Sequence, residues 1–415
     1  MFLSRRSRLR SHSHSRSSSL PFAILPGSSS NVFMLTLCLL LILVALAINL
    51  PLSWWLISAG RRWGQLDQPG SDVHKHHTTA TPATGGIGIF WSLMLPVILA
   101  ILAVNLLPDS VYETTLAPLH PHLPGLRAQT PMALALIGAA IIFHIMGIID
   151  DRKRLSPYLK LIVQFIVTAT LAIFCDIRVL HLLDQYGFAG EAASILISVL
   201  WMVTITNAIN FLDNMDGLSA GVSAIIAAIY LAATLMGGQW FVAAWCALLL
   251  GALLAFLVFN FLPRTGAKIF MGDGGSLVVG LMLSVIAIRT TYLNPAPATA
   301  TATASASATA WHGILMPLIV LAVPLYDITS VTLIRLMQGN SPFHPDQQHF
   351  SHRLVKKGLS KRIAVIVIWL CTLATGLGGV MLSRLEGWQA ALVAAQTLAV
   401  LGVLALLERT TGRDS

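Results

Sequence analysis

Charge is scarce in this chain. Only 10% of its 415 residues are Asp, Glu, Lys or Arg, while 56% are hydrophobic. A soluble domain carries about 25% charged residues, so an ordinary water-facing globule is excluded. Cysteine is scarce too. Cys38, Cys175, Cys246 and Cys371 stand singly in or beside apolar runs. None has CxxC or metal-ligand spacing, which excludes a disulfide framework or a zinc ribbon and leaves four small hydrophobes. Acids are fewer than bases, and the formal net charge is +9. Nucleic acid is nevertheless excluded as a partner, because the basic residues sit in short loops between apolar runs, where membrane topology places them. No internal repeat is visible, which counts against the two-halved design of many secondary transporters.

What the chain does contain is a series of apolar runs close to the roughly 20 residues that cross a bilayer. Eleven spans are expected, near 33–57, 86–106, 131–149, 158–175, 192–212, 218–236, 240–262, 274–292, 311–335, 362–382 and 388–407. The fold class is therefore all-α, a polytopic integral membrane protein with a single transmembrane domain over 33–407 and a short tail, 408–415. Residues 1–32 are low in complexity (RRSRLRSHSHSRSSS) and read as a disordered basic tail. Met34 opens the first apolar run, so residues 1–33 are expected to lie outside the working protein. The segment 295–310 is an Ala/Thr/Ser linker.

Basic residues are unevenly shared between the two sides. Loops after odd-numbered spans carry Arg61, Arg62, Lys75, Arg152, Lys153, Arg154, Lys160, Arg264, Lys268, Arg335, Arg353, Lys356, Lys357 and Lys361. Loops after even-numbered spans carry Arg127, Arg178, Arg289 and Arg384. Positive-inside bias places the odd loops in the cytoplasm; the five arginines of the N-terminal tail run against it. Every chemically interesting cluster then falls on the cytoplasmic face. These are HKHH (74–77), GIIDD (147–151), NAINFLDNMDGLSAG (207–221), KIFMGDGGS (268–276) and HPDQQHFSHRL (344–354).

Carboxylates near the membrane are costly, about 2.5–3.5 kcal/mol at a span centre. Asp150 and Asp151 end the third span, and alone they fit a solvated helix end as well as a site. Acids and cations packed together in DDRKRLSPYLK suit a metal with phosphates, Lys160 being a phosphate partner. Asn207, Asn210, Asp213 and Asp216 recur every third residue. On a helix, Asn207 to Asp213 share an arc of roughly 120°, Asp216 turns away, and Gly217 permits a break. The bland reading of the amides is interhelical hydrogen bonding. In MGDGGS the glycines permit close approach of a phosphate to free N–H groups at the next helix start. Phe270 fits a base-stacking or a packing aromatic. His349, His352 and Arg353 lie in a basic loop that suits phosphate better than zinc. Asp327 reads equally as structural or functional, and His144 and His312 as core histidines.

Together, GIIDD, NAINFLDNMDGLSAG, KIFMGDGGS and HFSHRL resemble the motifs of the polyprenyl-phosphate N-acetylhexosamine-1-phosphate transferases, over about Leu66 to Lys361. The resemblance implies a UDP-sugar donor, most simply UDP-GlcNAc, with undecaprenyl phosphate as acceptor. It also implies Mg²⁺ (with Mn²⁺ as a substitute), the inner (plasma) membrane, and a homodimer as one assembly. It assigns Asp273 and Asp213 to the metal, and Asp150, Asp151, Asp213 and His349 to catalysis, with Asp150 or Asp151 as the base. Lys75, His77, Lys160, Asn207, Asn210, Asp216, Phe270, His352 and Arg353 fall to the substrates, Phe270 against uracil. Four features depart from the family pattern: Asn214, Ser351, Ala83, and a longer stretch between Asn260 and Phe270. The short histidine motif leans away from phospho-MurNAc-pentapeptide transfer, the alternative within the family. A secondary transporter is the alternative outside it.

Overall fold

The computed structural model describes residues 29–64, 66–67, 80–292, 315–341, 348–382, 385 and 387–409. Among these, ten helices are long and apolar enough to span a membrane. They are α1 (Ser29–Arg62), α2 (Gly85–Leu106), α5 (Thr130–Arg152), α6 (Pro157–Phe174), α7 (Phe188–Phe211), α8 (Leu218–Met236), α9 (Trp240–Asn260), α10 (Asp273–Tyr292), α14 (Lys361–Met381) and α15 (Gly387–Arg409). Two short helices, α3 (Asp109–Thr114) and α4 (Leu123–Ala128), bridge α2 and α5, and α13 (Phe350–Lys356) precedes α14. The protein is an all-α, multi-pass membrane protein.

The expected ninth span differs from the rest. It is divided into α11 (315–320) and α12 (Ala322–Met337) by a turn at Leu321. Pro324 explains the break: it has no N–H to give to the carbonyl of Val320, and its ring crowds that carbonyl. The count of eleven thus becomes ten spans plus one broken helix. The first helix also begins about a turn before residue 33. The basic tail up to residue 28, the last residues 410–415, Lys75, His77, His312 and the linker 295–310 all lie outside the described residues.

Burial ranks the helices. In the membrane-spanning stretch of α10, 89% of residues are buried, against 17% for α15. The central helix α10 packs on α7, α5, α2 and α8, while α1, α8 and α9 form a second packed group. The wall of α5 comes unusually close to the start of α10. A Cβ on Gly147 would lie 2.3 Å from the carbonyl carbon of Asp273, so only glycine permits the approach. The sole paired strands among the described residues, β1 (Leu66–Asp67) and β2 (Thr81–Pro82), run antiparallel. They bring together the two ends of the segment that contains Lys75 and His77. Pro82 accepts a hydrogen bond from the Phe270 amide at 2.8 Å, and Gly85 and Gly86 donate to the carbonyls of Phe270 and Met271. The chain from β2 into α2 is thereby anchored beside the loop that leads into α10.

Candidate active site

Asp273, the first residue of α10, is where three sequence motifs meet. Its Oδ1 accepts Nδ2 of Asn210 at 2.9 Å, and the same amide nitrogen reaches Oγ of Ser276 at 2.9 Å. Its Oδ2 lies 3.4 Å from Nζ of Lys160, which forms a 2.6 Å ion pair with Oδ2 of Asp150. The other Asp150 oxygen accepts the Leu155 amide at 2.6 Å, which fixes the turn between α5 and α6. Asp151 takes a different role. Its two oxygens accept the backbone amides of Asp273 (2.9 Å) and Gly274 (3.3 Å). The start of α10 is therefore closed by a carboxylate, not left open to phosphate as MGDGGS alone predicts. A carboxylate at a helix N-terminus satisfies otherwise orphaned donors and complements the helix dipole. Gly272 holds φ +68 in this turn, and a Cβ there would meet Asp151 Oδ2 at 2.5 Å. His144 is the core histidine expected, stacked on Phe90 with ring centroids 4.3 Å apart and with Nδ1 2.7 Å from the Gly274 carbonyl.

The stripe from Asn207 to Asp216 does not stay on one helix. Helix α7 ends at Phe211, where the Asn214 side chain takes the Phe211 carbonyl at 2.7 Å and the Asp213 amide bonds back to Asn210 at 3.1 Å. Asp213 and Asp216 therefore sit in a turn, and the shared helical arc holds only for Asn207 and Asn210. Burial, reinforced by the charges of Asp273, Asp151 and Asp216, pushes the Asp213 carboxyl up to about 8. Asp216 lies at the exposed rim and accepts the Ala267 amide at 3.1 Å. Asn207 points elsewhere: it pairs with Gln164 of α6 at 2.6 Å and with the Val203 carbonyl, the interhelical bond of the bland reading. Phe270 is half-buried in the loop held against β2.

A second constellation surrounds α13. His349 Nδ1 lies 2.9 Å from Asp327 of α12, and Ser351 donates to Asn214 at 2.6 Å, which joins α13 to the acidic turn. Ser351 and Asn214, both departures from the family pattern, thus bond to each other. Arg353 is already engaged: Nε donates to Glu408 of α15 at 3.0 Å, Nη2 to Ser330 at 2.9 Å and Nη1 to the Gln348 carbonyl. Its place in the structure is a clamp between α12, α13 and α15, not an open phosphate contact. His352 lies half-buried on the same helix. Gln164, Ser276 and Glu408 were not singled out by sequence. Ser276 lies within KIFMGDGGS, Gln164 is an isolated polar residue in an apolar helix, and Glu408 stands beside Arg409 just past the last apolar run.

Acids thus converge at helix ends: the last turn of α5, the turn after α7 and the first residue of α10. This is not the midplane arrangement of a transporter. Lys160 is the ammonium set among them, and no cation pairs with Asp213 among the described residues. Nor do any three His, Cys, Asp or Glu side chains there converge tightly enough to hold an ion unaided. Mg²⁺ does not require that, since one or two carboxylates plus substrate phosphates suffice. Asp213 and Asp273, from adjoining turns and with negative charge in excess, fit it.

Residues 133–291 match the model of glycosyl transferase family 4. That range includes Asp150, Asp151, Lys160, Asp213 and Asp273. A Bacillus subtilis protein described as "Probable undecaprenyl-phosphate N-acetylglucosaminyl 1-phosphate transferase" is 30% identical over 328 residues, 78% of this chain and 79% of that one. The decaprenyl-phosphate N-acetylglucosaminephosphotransferase of Mycobacterium tuberculosis is 32% identical over 307 residues, 71% of this chain and 70% of its own. The undecaprenyl-phosphate alpha-N-acetylglucosaminyl 1-phosphate transferase of Yersinia pestis is 24% identical over 326 residues, 78% of each.

Proposed function

The chain belongs to glycosyl transferase family 4, and from that premise we propose that it transfers N-acetylglucosamine-1-phosphate from UDP-GlcNAc to undecaprenyl phosphate. The products are undecaprenyl-diphosphate-GlcNAc and UMP. The observation that carries this reading is the meeting in one place of Asn210 and Asp213 from the end of α7, Lys160 from the start of α6 and Asp273 from the start of α10. Two anionic reactants repel each other, and the site needs cations to hold both. Asp213 and Asp273 would hold Mg²⁺, which when bound would neutralise charge on the diphosphate and on the departing UMP.

The chain's own residues do the rest. Lys160, oriented by Asp150, donates to phosphate oxygen. Asn210, braced by Ser276, fixes the Asp273 carboxyl. Asp151 fixes its backbone. An oxygen of the lipid phosphate attacks the β-phosphorus, a new P–O–P link forms, and the bond from that phosphorus to the bridging oxygen breaks with UMP. The second phosphate pKa is near 6, so the lipid phosphate is largely dianionic at neutral pH and no strong base is required. Asp150 and Asp151, whose oxygens are already engaged, act as positioning groups. Phe270 belongs to the donor's uracil, and Lys75 and His77 to the donor or acceptor phosphates. The site faces the cytoplasm of the inner membrane in this reading, supported by the basic loops after odd-numbered spans. The homodimer rests on family resemblance alone.

The test is UMP release by purified protein with undecaprenyl phosphate and a panel of UDP-sugars, including UDP-GlcNAc and UDP-MurNAc-pentapeptide. Release with UDP-GlcNAc that stops on chelation supports the proposal. Silence across the panel sinks it, and release with the pentapeptide donor alone moves the chain to the other branch.

A further inference from the structure

Asp327 is the single acid of α12 and is fully enclosed, with 0% of its surface exposed. An ionisable group at such a place in a membrane protein is costly to keep and calls for a partner. It has two. Oδ2 lies 2.9 Å from Nδ1 of His349, and Oδ1 accepts the Phe350 amide at 2.8 Å. An ionised carboxylate only accepts, so the proton of this contact sits on Nδ1 of the imidazole. That bond fixes the ring's orientation and leaves Nε2 as its second nitrogen.

The surroundings hold the ring on other sides. Phe211, the last residue of α7, meets it edge-on at 5.8 Å between centroids, and the guanidinium of Arg335 lies 5.8 Å from the Phe211 ring. The Ser351–Asn214 bond ties α13 to the turn that carries Asp213. A helix cap alone needs no charge here, since a serine or asparagine serves as well.

We propose that Asp327 is a positioning residue for the transfer reaction: it sets the tautomer and direction of His349, so that Nε2 is presented to the phosphate groups held at the acidic turn. This role rests on the transferase reading above. The contact makes a sharp demand. In Asp327→Asn the side chain has one acceptor and one donor. The Phe350 N–H can only donate, so it takes the amide oxygen. The amide NH₂ then faces Nδ1, which must accept, and the proton moves to Nε2. An amide exchanged for the carboxylate behind a catalytic imidazole in serine proteases leaves the geometry intact but installs the wrong tautomer.

Two measurements test this. In ¹⁵N-histidine spectra at neutral pH, wild-type His349 should show a protonated Nδ1 and D327N a protonated Nε2. In the UMP-release assay, D327N should lose about tenfold or more in kcat, with KM for the donor changed less than about threefold. His349→Asn covers the case of a variant that does not insert. Its amide NH₂ can replace Nδ1–H toward Asp327 but offers no Nε2, so kcat should fall by a similar factor with the melting midpoint unchanged. Active wild type whose D327N or H349N variant keeps the wild-type kcat overturns the positioning role, as does an unprotonated Nδ1 in wild type. Wild-type protein that releases no UMP overturns the transferase reading, and this role with it.

Discussion

Asp213 is the residue on which pH dependence should turn. Its carboxyl is pushed up to about 8 by burial and by the carboxylates of Asp273, Asp151 and Asp216. The folded state therefore holds a proton that the unfolded chain releases near pH 4. Between about pH 4 and 8 the cation-free fold loses stability as pH rises, because the native state binds the extra proton. Asp213→Asn should flatten that decline, as read from melting midpoints across this window in the presence of chelator. Cation binding needs the carboxylate, so adding Mg²⁺ at pH 7 should expel a proton. Calorimetry in buffers of differing ionisation enthalpy will report it, and equal heats in all of them argue against Asp213 as a ligand. Asp273→Asn keeps the volume and the Asn210 contact but removes the charge. Turnover should fall by about 10²–10³-fold while membrane insertion is retained. These acids were legible in sequence because carboxylates stand out in an apolar chain. Their division of labour was not, since nothing in GIIDD distinguishes Asp150, bound to an ammonium, from Asp151, bound to two amides.

Between elements, the decisive contact is the end of α5 against the start of α10. Gly147 lets the two backbones touch, and Asp151 then reaches the amides of Asp273 and Gly274. Gly147→Ala should push α5 away, cost about 1–3 kcal/mol, and reduce activity by displacing Asp273. Asp151→Asn leaves one backbone donor facing an amide NH₂, a loss of about 1–3 kcal/mol, visible as a lower melting midpoint. If either variant melts and turns over like wild type, this junction does not hold Asp273 in place. Hydropathy located α5 and α10 to within a few residues. Their junction was hidden, because 122 positions separate Asp151 from Asp273 and only the packing of α10 at the centre brings them together. The break at Leu321 was written in the sequence as Pro324, inside an apolar run long enough to mask it.

For the whole molecule, alternation of basic loops predicts sidedness. Single cysteines placed at Lys153 and Lys357, in a background without native cysteines, should react with a membrane-impermeant maleimide only after the cytoplasmic side is opened. One at Asp109 should react from outside in intact cells, and the reverse pattern inverts the topology. The fold class was legible from hydropathy alone. That the distant motifs share one face was legible from the basic loops, but their meeting in one site only through resemblance, since chain order does not reveal which helix ends meet. Helix α15 shows what else the assembly implies. It is the least buried of the spans, yet its Glu408 holds Arg353 of α13, beside His349 and His352. A helix with most of its surface unburied thus has one end fastened beside the proposed site. Lipid length becomes a control on turnover: thinner or thicker vesicles tilt that helix, and the rate should peak at one matched thickness.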